Sequence, residues 1–75
     1  MTPKLPVFSG IDCIKALKKV RYVVVRQKSS HVRLKDKHGI LPPVTVPDHK
    51  ELRPGLLRKI LNDAGLTLED FTRLL

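Results

Sequence analysis

A chain of 75 residues can close one hydrophobic core with little to spare, so a single domain over residues 1–75 is expected. Hydrophobic residues at 41% and charged residues at 29% describe a folded globular protein and exclude a disordered tail or a membrane segment. Fifteen Lys and Arg against seven Asp and Glu leave a net charge of +8. The natural partner is therefore a polyanion, nucleic acid first, although an anionic membrane or an acidic protein would feel the same long-range attraction.

At the N-terminus, Met1 to Phe8 carries Pro3 and Pro6 and no apolar run long enough for a signal peptide or a membrane span, so a cytoplasmic location is expected. Ser9 with Asp12 three residues later predicts a capped helix over about Gly10 to Lys19, with Ile11, Ile14, Leu17 and Val20 as its apolar stripe. Lys15, Lys18 and Lys19 fall on its exposed side. Cys13, the only cysteine, sits inside the apolar pattern and reads as packing.

The aromatic and β-branched run Tyr22 to Val25 predicts a first strand, with the polar stretch Arg26 to Ser30 as the connection that follows. In a second strand Val32 and Leu34 alternate with His31, Arg33 and Lys35, which sends the two sets to opposite faces. Asp36 to Gly39 reads as a turn. Val44, Thr45 and Val46, bracketed by Pro42, Pro43 and Pro47, form a third, short strand suited to an edge.

Pro54 favours a helix start, Leu56, Leu57, Ile60, Leu61 and Ala64 form its buried stripe, and Gly65 suits its C-terminal cap. Thr67 with Asp70 predicts a last short helix ahead of Phe71 and Leu74. The order yields an α+β fold of two layers, a three-stranded antiparallel sheet with its helices on one face and the other face open.

No P-loop, GxGxxG, paired cysteines or HExxH occurs, so nucleotide hydrolysis, dinucleotide binding and a zinc site lack their usual spacing, and no cofactor is expected. His31 lies after Ser29 and Ser30 and is framed by Arg26, Lys28, Arg33 and Lys35. Cations that hold a phosphodiester beside a group able to move a proton suffice to cleave RNA, whose 2′-hydroxyl is its own nucleophile. No metal is needed for that chemistry. A solvated histidine with no role would carry the same local pattern, and Ser30 serves equally as a phosphate donor or as a turn residue.

His49, in the loop before the long helix, is either a second acid/base group or an ordinary loop histidine, while His38 reads as solvent-exposed at the turn. Arg53, Arg58 and Lys59 either extend a phosphate track or form a solvated helix face. With aromatics at 4%, base stacking has only Phe8, Tyr22 and Phe71 to draw on, so backbone contacts should dominate. A helix-turn-helix DNA binder is disfavoured because the three-strand segment leaves no basic recognition helix ready for the major groove.

The stretch YVVVRQKSSHVRL, from Tyr22 to Leu34, resembles the hallmark segment of the HicA family of messenger-RNA interferase toxins, whose pattern ends in Gly-Ser-His. SGIDCIKALKKV before it, and VPDH and LRPGLLRKILNDAGLTLEDF after it, are similar to the family's opening and closing helices in the same order. The resemblance implies a double-stranded-RNA-binding-domain-like α-β-β-β-α unit, His31 as the residue that cuts messenger RNA, and a HicB-like antitoxin as the protein partner. Two positions depart from the family. Ser29 stands where glycine is most frequent, which bears on the turn before His31, and Leu56 stands where threonine is common.

Overall fold

The computed structural model describes residues 7–75; Pro3, Pro6 and the rest of the N-terminal stretch up to residue 6 lie outside the described residues. The element order is α1 (Gly10–Val20), β1 (Tyr22–Lys28), β2 (His31–Asp36), β3 (Val44–Pro47), α2 (Pro54–Asp63) and α3 (Leu68–Arg73). The strands form one antiparallel sheet in the order β1-β2-β3, an α+β layout that agrees with the double-stranded-RNA-binding-domain-like fold.

Both predicted capping boxes are present: the Ser9 hydroxyl accepts from the Asp12 amide and the Thr67 hydroxyl from the Asp70 amide, with each carboxylate reaching back to its cap. Hydrogen bonding from the Thr67 amide, and after it from the Thr67 side chain, holds the Asp70 carboxyl below its ordinary pKa. Gly65 has φ +69°, the left-handed conformation that a helix C-terminus favours.

The buried face of α1 is made by Cys13, Ala16 and Leu17, with Ile14 at its margin, whereas Ile11 and Val20 are exposed. The expected stripe errs at its ends for a geometric reason. Each three-residue step falls about 60° short of a full turn, so three such steps carry Val20 to the side of the helix opposite Ile11. Cys13 is fully buried and its thiol is pushed up to about 12, chiefly by burial, as befits a packing residue.

Tyr22, Val32, Leu34, Val44 and Val46 supply the sheet's share of the core, and Leu57, Ile60, Leu61 and Phe71 the share of the later helices. The Phe8 ring stands edge-on against Phe71 at 4.8 Å between centroids. The strands fit the expected alternation in β2, where His31, Arg33 and Lys35 are exposed and Val32, Leu34 and Asp36 are buried.

Two boundaries differ from expectation. The first strand does not end at Val25 but runs to Lys28, because Arg26, Gln27 and Lys28 find cross-strand partners in Arg33, Val32 and His31. The connection is only Ser29 and Ser30. Asp36 belongs to β2 and not to the turn after it: its buried carboxylate takes two hydrogen bonds from the Arg21 guanidinium, at 2.9 and 3.0 Å, and three from the amides of His38, Ile40 and Leu41. The guanidinium first, and those amides after it, outweigh burial and hold Asp36 well below the usual carboxylate range.

Candidate functional site

The site is built on the open face of the β1–β2–β3 sheet, at the end where the chain turns through Ser29 and Ser30. Lys28 and His31 flank that turn as a cross-strand pair, and His31 is in register with Pro47 on its other side. One step further along, Arg26 faces Arg33 and Arg33 faces Thr45. Beyond them Val23 faces Lys35. The bulge between Val24 and Arg26 keeps Arg26 and Lys28 in step with Arg33 and His31.

Arg26, Lys28, Arg33 and Lys35 are therefore gathered on one exposed surface with His31 among them. Among the described residues the ion pairs within 4 Å are Arg21–Asp36 and Arg73–Glu69, so none of these four cations is neutralised by a carboxylate. Arg26 directly opposite Arg33 is a like-charge pair, which costs the fold stability and concentrates positive charge on this face. Arg33 is steadied by donating from Nη1 to the Thr45 hydroxyl at 3.1 Å. Sequence reading left Thr45 without a role; its place between Val44 and Val46, both buried, was the signal that it belongs to the open face.

Ser29 has φ +57°, the only positive value at a non-glycine among the described residues. Such a conformation costs an L-residue about 1–2 kcal/mol. The strain is held by tight backbone bonding around it: the half-buried Ser30 accepts at its carbonyl from the Asp48 amide at 2.6 Å, which ties the turn to the segment leaving β3. The same segment is clamped from below by α1. The Gly10 amide donates to the His49 carbonyl at 2.8 Å, and a Cβ on Gly10 would lie 2.0 Å from the Pro47 carbonyl oxygen, so only glycine permits this approach.

His49 thus lies in the exposed loop that runs past the Ser29–Ser30 turn, two residues beyond the register partner of His31. His38 is at the other end of the hairpin, where its amide donates to Asp36, and takes no part in the cationic face. Arg53 caps α2, and Arg58 and Lys59 are exposed on α2 in the helical layer, so the structure does not bring these three to the sheet's open face.

None of the aromatic side chains is offered there for stacking. Tyr22 and Phe71 are fully buried, and Phe8 is half-buried against Phe71. The Tyr22 hydroxyl is spent on the Pro42 carbonyl at 2.8 Å. Among the described residues no three His, Cys, Asp or Glu side chains are grouped as a metal site, and no helix is long and apolar enough to cross a membrane.

No curated protein matches the chain. The family model described as the HicA toxin of bacterial toxin-antitoxin matches residues 10–66, which include both ends of the β1–β2 hairpin, the loop with His49 and the whole of α2. With well over half of its length matched, and with the fold that the family's segment order implies, the chain belongs to the HicA family of toxins from bacterial toxin-antitoxin systems.

Proposed function

We propose that the chain is a cytoplasmic, single-domain endoribonuclease that cuts messenger RNA without a metal or other cofactor, with His31 as its general acid/base. The observation that carries this reading is the set of four unneutralised cations around one exposed histidine on an open sheet face, in a chain whose family consists of toxins. Phosphodiesters supply the missing counter-charge. Arg26, Lys28, Arg33 and Lys35 bind the backbone, and Ser30 donates to a phosphate oxygen.

In the reaction the imidazole of His31 takes the proton from the 2′-hydroxyl, the 2′-oxygen attacks phosphorus, and the bond to the 5′-oxygen breaks to leave a 2′,3′-cyclic phosphate. The departing 5′-oxygen needs a proton. His49, on the loop beside the turn, is the candidate donor; without it the protonated His31 returns the proton it took. The cations stabilise the charge that gathers on the phosphoryl oxygens in the transition state. A HicB-like antitoxin, the partner to which the family points, would silence the protein by covering these groups.

The test is incubation of the purified protein, in EDTA, with a labelled RNA and its all-deoxy counterpart, beside His31→Ala. Cleavage of the RNA alone, lost in the variant, is the expected result. RNA that is bound but stays intact would overturn the nuclease and leave a non-catalytic RNA-binding module on the same fold.

A further inference from the structure

β1 is an edge of the sheet, bonded to β2 on one side and, among the described residues, to no strand on the other. Apart from Tyr22 every one of its residues is exposed, including Val23, Val24 and Val25 at 39%, 42% and 50%. Seven residues make an edge about 20 Å long. Long edges with exposed β-branched residues are what proteins ordinarily avoid, by shortening the strand or by placing proline in it, because the free N–H and C=O groups recruit further strands. The opposite edge does show these devices: β3 has only four residues, follows Pro42 and Pro43, and ends on Pro47. β1 has no proline, and its bulge and the cations Arg26 and Lys28 blunt only the half nearer the Ser29 turn, which leaves Val23 and Val24 as an exposed apolar edge.

We infer that the free edge of β1 is a docking site for one extended strand of a partner protein in which aliphatic and acidic residues alternate. The alternation follows from the two faces of β1. On the open face an added strand would run beside Val23, Arg26 and Lys28, with Arg33 and Lys35 one strand further on, and acidic side chains there meet cations that have no carboxylate of their own. On the helix side it would run beside Val24, whose cross-strand partner Leu34 is fully buried, and an aliphatic residue there extends the core past its present margin. Main-chain hydrogen bonds give such an addition its affinity, and the side-chain alternation its specificity.

The charge pattern argues against a second copy of the chain as the occupant. Self-pairing would bring together two molecules that each carry +8, along an edge that bears the carboxylate-free Arg26 and Lys28 on both strands. Nucleic acid would meet Arg26 and Lys28 from the open face, but the strand's free main-chain edge and the exposed Val24 and Val25 offer it neither charge nor a π-face. The inference goes beyond the ribonuclease reading and does not depend on it.

The test is titration of the ¹⁵N-labelled full chain with an acetylated, amidated peptide of sequence Val-Glu-Val-Glu-Val-Glu-Val, and with its lysine counterpart. We expect the acidic peptide alone to shift the amide signals from Val23 to Gln27 and to slow exchange of the alternate outward amides of β1. Val25→Asp, at an exposed position that leaves the rest of the spectrum in place, should weaken binding by about tenfold. No response at millimolar peptide, shifts on the open face without new amide protection in β1, equal binding by Val25→Asp, or a dimer formed through β1 without peptide would each overturn the assignment.

Discussion

The two ends of the β1–β2 hairpin are built on opposite plans. At the Asp36 end a buried carboxylate receives five hydrogen bonds, from Arg21 and from three amides, so that its charge is spent on the fold. At the Ser29 end the backbone is strained, His31 and its neighbouring cations face solvent, and the turn is tied to the segment that leaves β3 by the Ser30 carbonyl, which accepts from the Asp48 amide. One end holds the strands in register. The other leaves His31 and its cations unpaired, which is what the proposed ribonuclease requires of it.

The comparison predicts that damage at the two ends separates cleanly, and the largest effect falls at the exposed one. His31→Ala should lower RNA cleavage by about 10²–10⁴-fold, the usual worth of a general acid/base. Its melting temperature should match the parent's, since an exposed side chain with no fold contact is removed. A parallel fall in melting temperature would show that the two ends are not independent.

Next in size is Asp36→Asn, which removes the charge and keeps the shape. Arg21 loses its partner, and the melting temperature at neutral pH should drop by roughly 10 °C. The pH dependence has a fixed sign. A carboxyl held below its unfolded value stabilises fully above about pH 4 and loses that contribution as pH falls toward its folded value. The parent should therefore melt progressively lower below pH 4, and Asp36→Asn should show a flatter profile, as followed by circular dichroism. An equally steep profile in the variant would place the acid sensitivity elsewhere, with Asp70 the next carboxyl to test.

A smaller effect probes the open face between the two ends. Arg33→Ala should lessen the dependence of log K on log salt by about 0.7, the share of one phosphate contact on a single strand. Because it also ends the opposition of Arg26 and Arg33, its melting temperature should be no lower than the parent's. Fluorescence anisotropy over a salt series measures the first and thermal denaturation the second. An unchanged salt slope would remove Arg33 from the phosphate track.

Most of this architecture was legible in the sequence because it rests on local signals. Ser9 with Asp12, Thr67 with Asp70, and Gly65 mark helix ends through bonds that span a few residues, and the β2 alternation displays its two faces directly. What escaped depends on partners far along the chain. Arg26 to Lys28 look like a polar connection until β2 supplies their register, and Asp36 looks like a turn residue until Arg21 meets it from 15 positions away. The same limit held for Gly10, whose need to be glycine comes from the Pro47 carbonyl on another element. His31 and its cations could be singled out early because they are close in sequence. The distant candidates could not be placed in this way: His38 proves to lie at the other end of the hairpin, and His49 two residues past the register partner of His31.

The smallest predicted effect is also the most pointed. Ser29 holds a positive φ that glycine adopts without steric cost, at the position where the family most often has glycine. Ser29→Gly should relieve about 1–2 kcal/mol of backbone strain and give back about 0.5–1 kcal/mol through the greater freedom of glycine in the unfolded chain. The net gain, up to about 1.5 kcal/mol, would raise the melting temperature by several degrees. If the strain does no more than tax the fold, cleavage by the variant should equal or exceed the parent's. If instead the strained turn sets the pose of His31, the variant should gain stability and lose rate, so the two readouts moving in opposite directions would identify Ser29 as a positioning residue.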